Sequence, residues 1–220
     1  MRIRHFFWTT LLLLCVLVAS CQKETIPSHL TVPVGSTTNL NTSGSWKSSR
    51  TFIATVTANG LISGKHVGSC TISDNKNRCT VTVTPTTTLF KDPVTKWGVS
   101  QSYVTNQEGN DYESEDNSIT YITNDAVSPA RVYLFENGKL NSVGLLINIT
   151  YAVDVVDHIL ERYNNIGERN NAFYFIDGKD LDEATTLVIY KAYNSSYYLI
   201  TYADSKQVKN RSRIFNTMIL

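Results

Sequence analysis

The sequence predicts two folded regions of different class, an all-β sandwich followed by an α+β domain with an antiparallel sheet and two helices. Three observations predict it. Residues 27–84 are rich in Thr, Ser and Val, in short alternating runs cut by Gly. Pro85-Thr86-Thr87-Thr88 then breaks the pattern. From Phe90 the chain turns to Tyr, Asn and Asp, with longer apolar runs and one stretch of helical spacing. A length of 220 residues leaves room for one large domain or two small ones. The 20 basic and 19 acidic side chains give +1, which argues against nucleic acid as a partner, because phosphate binding needs a concentrated basic surface. Hydrophobic residues at 42 % exclude wholesale disorder.

The first twenty residues read as an address. Arg2 and Arg4 precede an apolar run from Phe6 to Ala19, interrupted only by Thr9 and Thr10. As a helix that run spans about 21 Å, short of the ~30 Å of a bilayer core, so it reads as a signal peptide, residues 1–20. Leu17-Val18-Ala19-Ser20-Cys21 resembles the lipobox of bacterial lipoproteins. The resemblance implies cleavage before Cys21, acylation of its sulfur and new amino group, and firm anchoring through several acyl chains. Gln22, where inner-membrane retention would place Asp, resembles outer-membrane sorting, and Gln22-Lys23-Glu24 is partly similar to a surface-export tag. Residues 21–26 would be the lipidated tether. No later segment is long and apolar enough to cross a membrane as a helix.

Within residues 27–85 the runs Leu30–Val34, Ile53–Val56, Leu61-Ile62, Cys70–Ile72 and Cys79–Val83 read as strands. Asn59-Gly60 is a two-residue hairpin signal, since both positions tolerate positive φ. Short strands at this spacing suggest a small sandwich. After Cys15 leaves with the signal and Cys21 takes lipid, Cys70 and Cys79 remain, disulfide candidates in an oxidising compartment. A hairpin turning at Asp74-Asn75 sets Cys70 opposite Cys79; one turning at Asn75-Lys76 sets Cys79 opposite Ile72, with Cys70 diagonal to it. Either register keeps both thiols on one face. No histidine is spaced to complete a zinc site with them. The order Val34-Gly35, Trp46-Lys47-Ser48-Ser49, Ile53–Val56, Asn59–Gly64, Val67-Gly68 and Thr80–Val83 is similar to the second group of bacterial Ig-like domains. It departs between Leu40 and Trp46, where the connection is short, and at Cys70, where a small residue is usual. The resemblance implies an Ig-like sandwich of surface proteins with no catalytic residues, and Trp46 in its core.

Residues 86–89 read as a linker, 90–208 as the α+β domain and 209–220 as a tail. A helix is expected near Val99–Glu108, then strands near Ile119–Thr123, Arg131–Glu136 and Leu140–Asn148. A longer helix near Ala152–Asn165 follows, then strands near Ala172–Ile176, Thr185–Ala192 and Tyr197–Tyr202. In the second helix Val153, Val156, Leu160 and Tyr163 form an apolar stripe, with Asp154, Asp157, Glu161 and Arg162 opposite. Asn137-Gly138 and Asn194-Ser195 mark hairpins. The two halves thus repeat helix then three strands, a tandem α-β-β-β pattern. That order, with Trp97-Gly98-Val99-Ser100-Gln101 before the first helix, is similar to repeats in β-lactamase-inhibitor protein and in small outer-membrane assembly lipoproteins.

Catalytic motifs are not evident, and neither a metal site nor a cofactor is expected. His29 and His66 have no acid or nucleophile spaced to use them. Asp154 and His158 share a helix face but read as a solvated surface. Asp177–Glu183 reads as a polar turn, because its Gly stands at position two where a calcium loop needs it at six, and Asp111–Asp116 reads as a solvated loop. The basic tail Lys209–Arg213 reads as a frayed terminus. Tyrosine carries more information. Tyr190, Tyr193, Tyr197, Tyr198 and Tyr202 crowd one hairpin, and a two-faced strand pair cannot bury them all. With the turn at 193:196, Tyr190 faces Leu199, Tyr198 faces Lys191 and Tyr202 faces Leu187. Tyr193, Tyr197, Tyr198 and Tyr202 are the candidate binding residues, since tyrosine offers large contact area at low entropy cost. The expectation is a non-enzymatic, lipid-anchored protein of the outer membrane, on its surface or periplasmic face. An Ig-like spacer would carry an α+β domain that binds a glycan or protein ligand in adhesion; the alternative is a protein-binding inhibitor or assembly factor.

Overall fold

The computed structural model describes residues 26–211, with side chains described to Val208. The expected signal segment, Cys21 with its lipid, and residues 212–220 lie outside the described residues. The fold is β-rich, with large antiparallel sheets and few helices. Seven short strands come first: β1 His29–Pro33, β2 Thr37–Asn39, β3 Lys47–Ser48, β4 Ala54–Val56, β5 Leu61–Gly64, β6 Gly68–Ser73 and β7 Arg78–Thr84. They form one sheet in the order β1-β7-β6-β3, with β1 parallel to β7, and another in the order β2-β5-β4. Ile62 from one sheet and Ile72, Cys79, Val81 and Val83 from the other share one core with Trp46 and Phe52. Trp46 is buried, its Nε1 donating to the Thr42 carbonyl at 3.2 Å, so it offers no exposed platform.

Turn chemistry sets the registers. At Asn59-Gly60 only Gly60 has positive φ (+80°), and Val56 pairs with Ile62 while Thr57 N donates to the Leu61 carbonyl, so residues 58–60 form a three-residue loop, one longer than a two-residue hairpin. Between β6 and β7, Asp74 Oδ1 accepts from Lys76 N at 2.8 Å and Asn77 N at 2.6 Å, closing a four-residue turn. Ile72 therefore pairs with Cys79 and Cys70 with Val81, the second of the two registers expected. The disulfide reading is corrected: Cys70 and Cys79 are separate buried thiols. Diagonal neighbours sit farther apart than the roughly 3.5–4.5 Å between Cβ atoms that a bridge needs. Burial raises both thiol pKa values, and Cys70 raises that of Cys79 further, which suppresses the reactive thiolate. Native protein should therefore resist alkylation, and unfolding should admit two labels per chain by mass spectrometry. A chain that takes no label after unfolding would be bridged.

The second part contains α1 Gln101–Glu108, β8 Glu113–Glu115, β9 Ser118–Ile122, β10 Ala130–Glu136 and β11 Lys139–Asn148. After a 3₁₀ turn over Ile149–Tyr151 come α2 Ala152–Leu160, β12 Asn164–Arg169, β13 Ala172–Ile176, β14 Thr186–Ala192, β15 Tyr197–Asp204 and α3 Ser205–Arg211. All eight strands form one antiparallel sheet, ordered β12-β13-β14-β15-β11-β10-β9-β8. Each half is a helix followed by a four-strand meander, and the last strand of each, β11 and β15, meet at the centre. The two strands not expected, β8 and β12, are the sheet edges. Charged Glu113-Ser114-Glu115 looks like loop and Asn164–Arg169 like the end of a helix, because an edge strand needs little apolar surface.

Helix α2 is shorter than expected and rotated. Its buried face is Val155, His158 and Ile159, continued by buried Arg162, whereas Val153 is 80 % exposed and Leu160 is exposed as well. The face turned to the core is the one whose polar side chains find partners there. His158 Nε2 donates to Asp92 Oδ1 at 3.0 Å, its ring lies 4.2 Å from that of Phe90, and Arg162 Nε reaches both Asp92 oxygens at 2.9 Å. The reading of His158 and Arg162 as a solvated surface is thereby corrected, and the partner of His158 is Asp92, not Asp154.

The break at Pro85–Thr88 is held. Glu161, just past α2, accepts from Thr86 N at 3.0 Å and Thr87 N at 3.0 Å, and from both threonine hydroxyls. Its main-chain carbonyl accepts from Val67 N at 2.8 Å, and Arg50 donates to the Asp177 carbonyl at 3.1 Å. Burial alone would raise the carboxyl pKa values of Glu161 and Asp92, yet their hydrogen bonds, with the charges of Arg162 and His158 beside Asp92, hold both below the usual range. A lowered folded-state pKa stabilises above the unfolded value and loses that contribution as pH falls through the folded one. Thermal melts should therefore be indifferent to these two groups from neutrality down to about pH 5, and should drop below about pH 4. Glu161→Gln should flatten that acid limb; an unchanged limb would show that the clamp contributes nothing.

Candidate functional site

The eight-stranded sheet has two unlike faces. On one, α1 and α2 cover a core that includes Val104, Tyr133, Leu145, Phe175 and Tyr202. The other is covered at one end only, where Val208 of α3 and Leu181 and Ala184 of the β13–β14 connection pack on Ile176 and Leu187. Among the described residues no other element covers the rest of that face. Pairing places Ala130 beside Leu146 and Leu146 beside Leu199, then Val132 beside Gly144 and Gly144 beside Thr201. Strand alternation points all of these to the open side.

The result is an apolar groove of about 310 Å³ running across β10, β11 and β15. Gly144 forms its floor, Leu134 (46 % exposed) one rim and Tyr193 (60 % exposed) the other. Ile122, 68 % exposed, extends the apolar surface on β9. An alanine Cβ at Gly144 would lie 3.6 Å from Leu199 Cδ1, an ordinary contact. The missing side chain leaves room above the sheet without being forced by the backbone. Contiguous exposed apolar surface of this kind marks interaction sites more than isolated apolar residues do.

Two of the four tyrosines expected to bind lie on this face and two do not. Tyr193 is on the rim, and Tyr197, half-buried, alternates with Leu199 on the open side. Tyr198 lies on the helix side, stacked on Tyr190 with centroids 4.9 Å apart. Tyr202 is 1 % exposed in the core, packed near Tyr163, and cannot be a contact residue. Alternation along β15 separates Tyr197 from Tyr198 and Tyr202, and the hairpin register is also one residue off the expected one. Asn194 Oδ1 accepts from Ser196 N and Tyr197 N, both at 2.9 Å, and Tyr193 N donates to the Tyr197 carbonyl, making a three-residue loop. Tyr190 therefore pairs with Ile200, Lys191 with Leu199 and Leu187 with Ala203. The groove residues of β10 and β11 are missed by reasoning from the tyrosines. Their signal is the run Val143–Ile147 with Leu134, apolar on both faces of its strands, which demands cover on two sides.

Other polar clusters are structural. Asp177 accepts from Thr185 N at 2.7 Å and Thr186 N at 2.8 Å, and Asp180 caps Asp182 and Glu183, so this acidic run is a hydrogen-bonded turn. Asp92, Arg162, Arg50 and Asp177 line a polar cleft between the two parts of the chain, where Arg162 pairs with Asp92 and Arg50 donates to the Asp177 main-chain carbonyl. Among the described residues no three His, Cys, Asp or Glu side chains converge to hold a metal ion, and no helix is long and apolar enough to cross a membrane. The chain matches no protein-family model and no curated protein.

Proposed function

We propose that this is a non-enzymatic, lipid-anchored protein of the bacterial outer membrane that binds a protein ligand through the open face of its eight-stranded sheet. The single observation behind the reading is the groove of Val132, Leu134, Gly144, Leu146, Leu199 and Tyr193. Its lining favours an apolar segment of a protein over a glycan. A sugar needs aromatic platforms together with convergent hydrogen-bonding groups, and this groove offers one exposed ring and mostly aliphatic walls. The seven-strand part, in the Ig-like reading, is the spacer between the anchor at Cys21 and that face, and the Glu161 clamp fixes their mutual orientation.

The paired helix-plus-four-strand halves favour a second reading, an inhibitor or assembly factor that grips one partner across both halves, as the doubled order of β-lactamase-inhibitor-like repeats suggests. Capture from solubilised envelope, run beside a glycan array, separates the classes. Adhesion to many host proteins gives several substoichiometric species, and an assembly factor gives one stoichiometric partner. Glycan retention unaffected by Leu134→Glu would overturn the face as the site. Anchoring is tested separately: fatty-acid label should enter the wild type and not Cys21→Ala, and equal label in both would remove the anchor.

A further inference from the structure

We infer that two copies of this chain pair face to face through the open groove, about a two-fold axis that runs along the sheet between β10 and β11. The pairing stands apart from the function proposed above; only its consequence, that a ligand of this face must displace the second copy, rests on that reading. Shape carries it first. The open-side pairs between β10 and β11 are Ala130 with Leu146, Val132 with Gly144 and Leu134 with Ser142. Each sets a large residue beside a small one. A two-fold axis between these strands lays β10 of the second copy over β11 of the first. Ala130 then meets Leu146, Val132 enters the space above Gly144, and Leu134 meets Ser142, so bulk falls on hollow in every row. Sheets stacked face to face at about 10 Å pack by such interdigitation. Gly144 is outside the positive-φ region and a Cβ there has ordinary room, so its own chain does not require a glycine; the Val132 of a second copy does use the space.

The strands farther out agree. The same axis sets β15 over β9 and β14 over β8. Leu199 and the exposed Ile122 lie in the row of Leu146 and Ala130, so each covers the other across the interface. Beyond them the charges are opposite. Glu113 pairs with Thr120 and Lys191 with Leu199, which puts both exposed side chains on the open side. Within one chain they stand on β8 and β14, five strand spacings or about 24 Å apart. In the pair, Lys191 of one copy lies one row from Glu113 of the other, twice by symmetry. An axis across the strands would instead stack the acidic β8 edge on itself. Helix α3 and the β13–β14 connection, which cover Ile176 and Leu187, fall at and past the β8 edge of the second copy, clear of the apolar rows. The overlapped strip, about 24 Å by about 15 Å, is at the small end of specific interfaces, so the pair is weak and reversible.

Sedimentation equilibrium of the full chain in a density-matched non-ionic detergent tests this with no outside ligand, so its failure is separable from failure of the proposed function. The wild type should show a reversible monomer–dimer equilibrium. Gly144→Phe, which fills the hollow, should raise the dimer dissociation constant about tenfold or more, as a built-in clash does. Glu113→Lys and Lys191→Glu should each raise it about tenfold by setting like charges together. Both reversals in one chain should restore the wild-type constant, which a misfolded variant would not do. A monomer at every concentration up to the millimolar range would overturn the inference. So would a dimer indifferent to Gly144→Phe, or single charge reversals that the double reversal fails to rescue.

Discussion

Glu108→Ala lowers the unfolding free energy of the full chain by about 3–5 kcal/mol, the range for removing one partner of a buried ion pair. Glu108 is the last residue of α1 and its side chain is 4 % exposed. Its carboxylate accepts from Tyr133 Oη at 2.5 Å and from Arg131 Nη1 at 3.1 Å, and both donors are buried. Lys91 Nζ also reaches it at 2.9 Å, but that lysine is 58 % exposed and adds little. Without the carboxylate, the Arg131 guanidinium stays buried and, among the described residues, keeps its bond to the Lys91 carbonyl at 3.3 Å. The loss is therefore an unpaired internal charge, not a missing surface contact. Glu108→Gln, which keeps the acceptor and drops the charge, should cost less. Urea unfolding followed by tyrosine fluorescence measures both. A loss under about 1 kcal/mol for the alanine variant would mean that water replaces the carboxylate.

Tyr202→Ala costs about 3–5 kcal/mol as a buried aromatic truncation, whereas Tyr193→Ala stays within about 0.5 kcal/mol. Tyr202 packs beside Tyr163 in the core, and Tyr193 stands on the groove rim. The pair separates scaffold from surface within one hairpin. Tyr202→Ala should reduce binding only as far as it reduces the folded fraction, and Tyr193→Ala should weaken binding with the melting temperature unchanged. Similar losses at the two positions would mean that the hairpin has the register with its turn at 193:196, which sets Tyr193 and Tyr202 on one face.

That hairpin also shows how much the sequence could reveal. Asn137-Gly138 is legible as a two-residue turn, and both residues take positive φ with Glu136 paired to Lys139. Asn194-Ser195 looks similar but lacks the glycine, and the Asn194 side chain closes a loop one residue longer. One residue changes every cross-strand partner, so Tyr198 stands opposite Ala192 and Tyr202 opposite Val188 in place of Lys191 and Leu187. Helix α2 failed for another reason. It is apolar on two faces, Val153/Val156/Leu160 and Val155/Ile159, and only the tertiary partners Asp92 and Phe90 decide that His158 and Arg162 go inward. Those partners lie some 65–70 positions away in the chain, beyond any local pattern. The edge strands β8 and β12 escaped because their residues are polar. The groove escaped because open and closed faces are told apart only by which side the helices take.

If the open face is the binding face, charges placed on the two sides of the sheet should act differently. Leu134→Glu places a charge on the groove rim, and Phe173→Glu places one on the helix side of the same sheet, at a residue 38 % exposed. Both are made in the full chain and titrated by surface plasmon resonance against the partner captured from envelope, with melting temperatures matched to wild type. Leu134→Glu should weaken binding by at least about tenfold, or roughly 1.4 kcal/mol, and Phe173→Glu should leave it unchanged. Binding that survives Leu134→Glu and is lost with Phe173→Glu, or that follows residues 27–84 alone, would contradict the open face as the binding face.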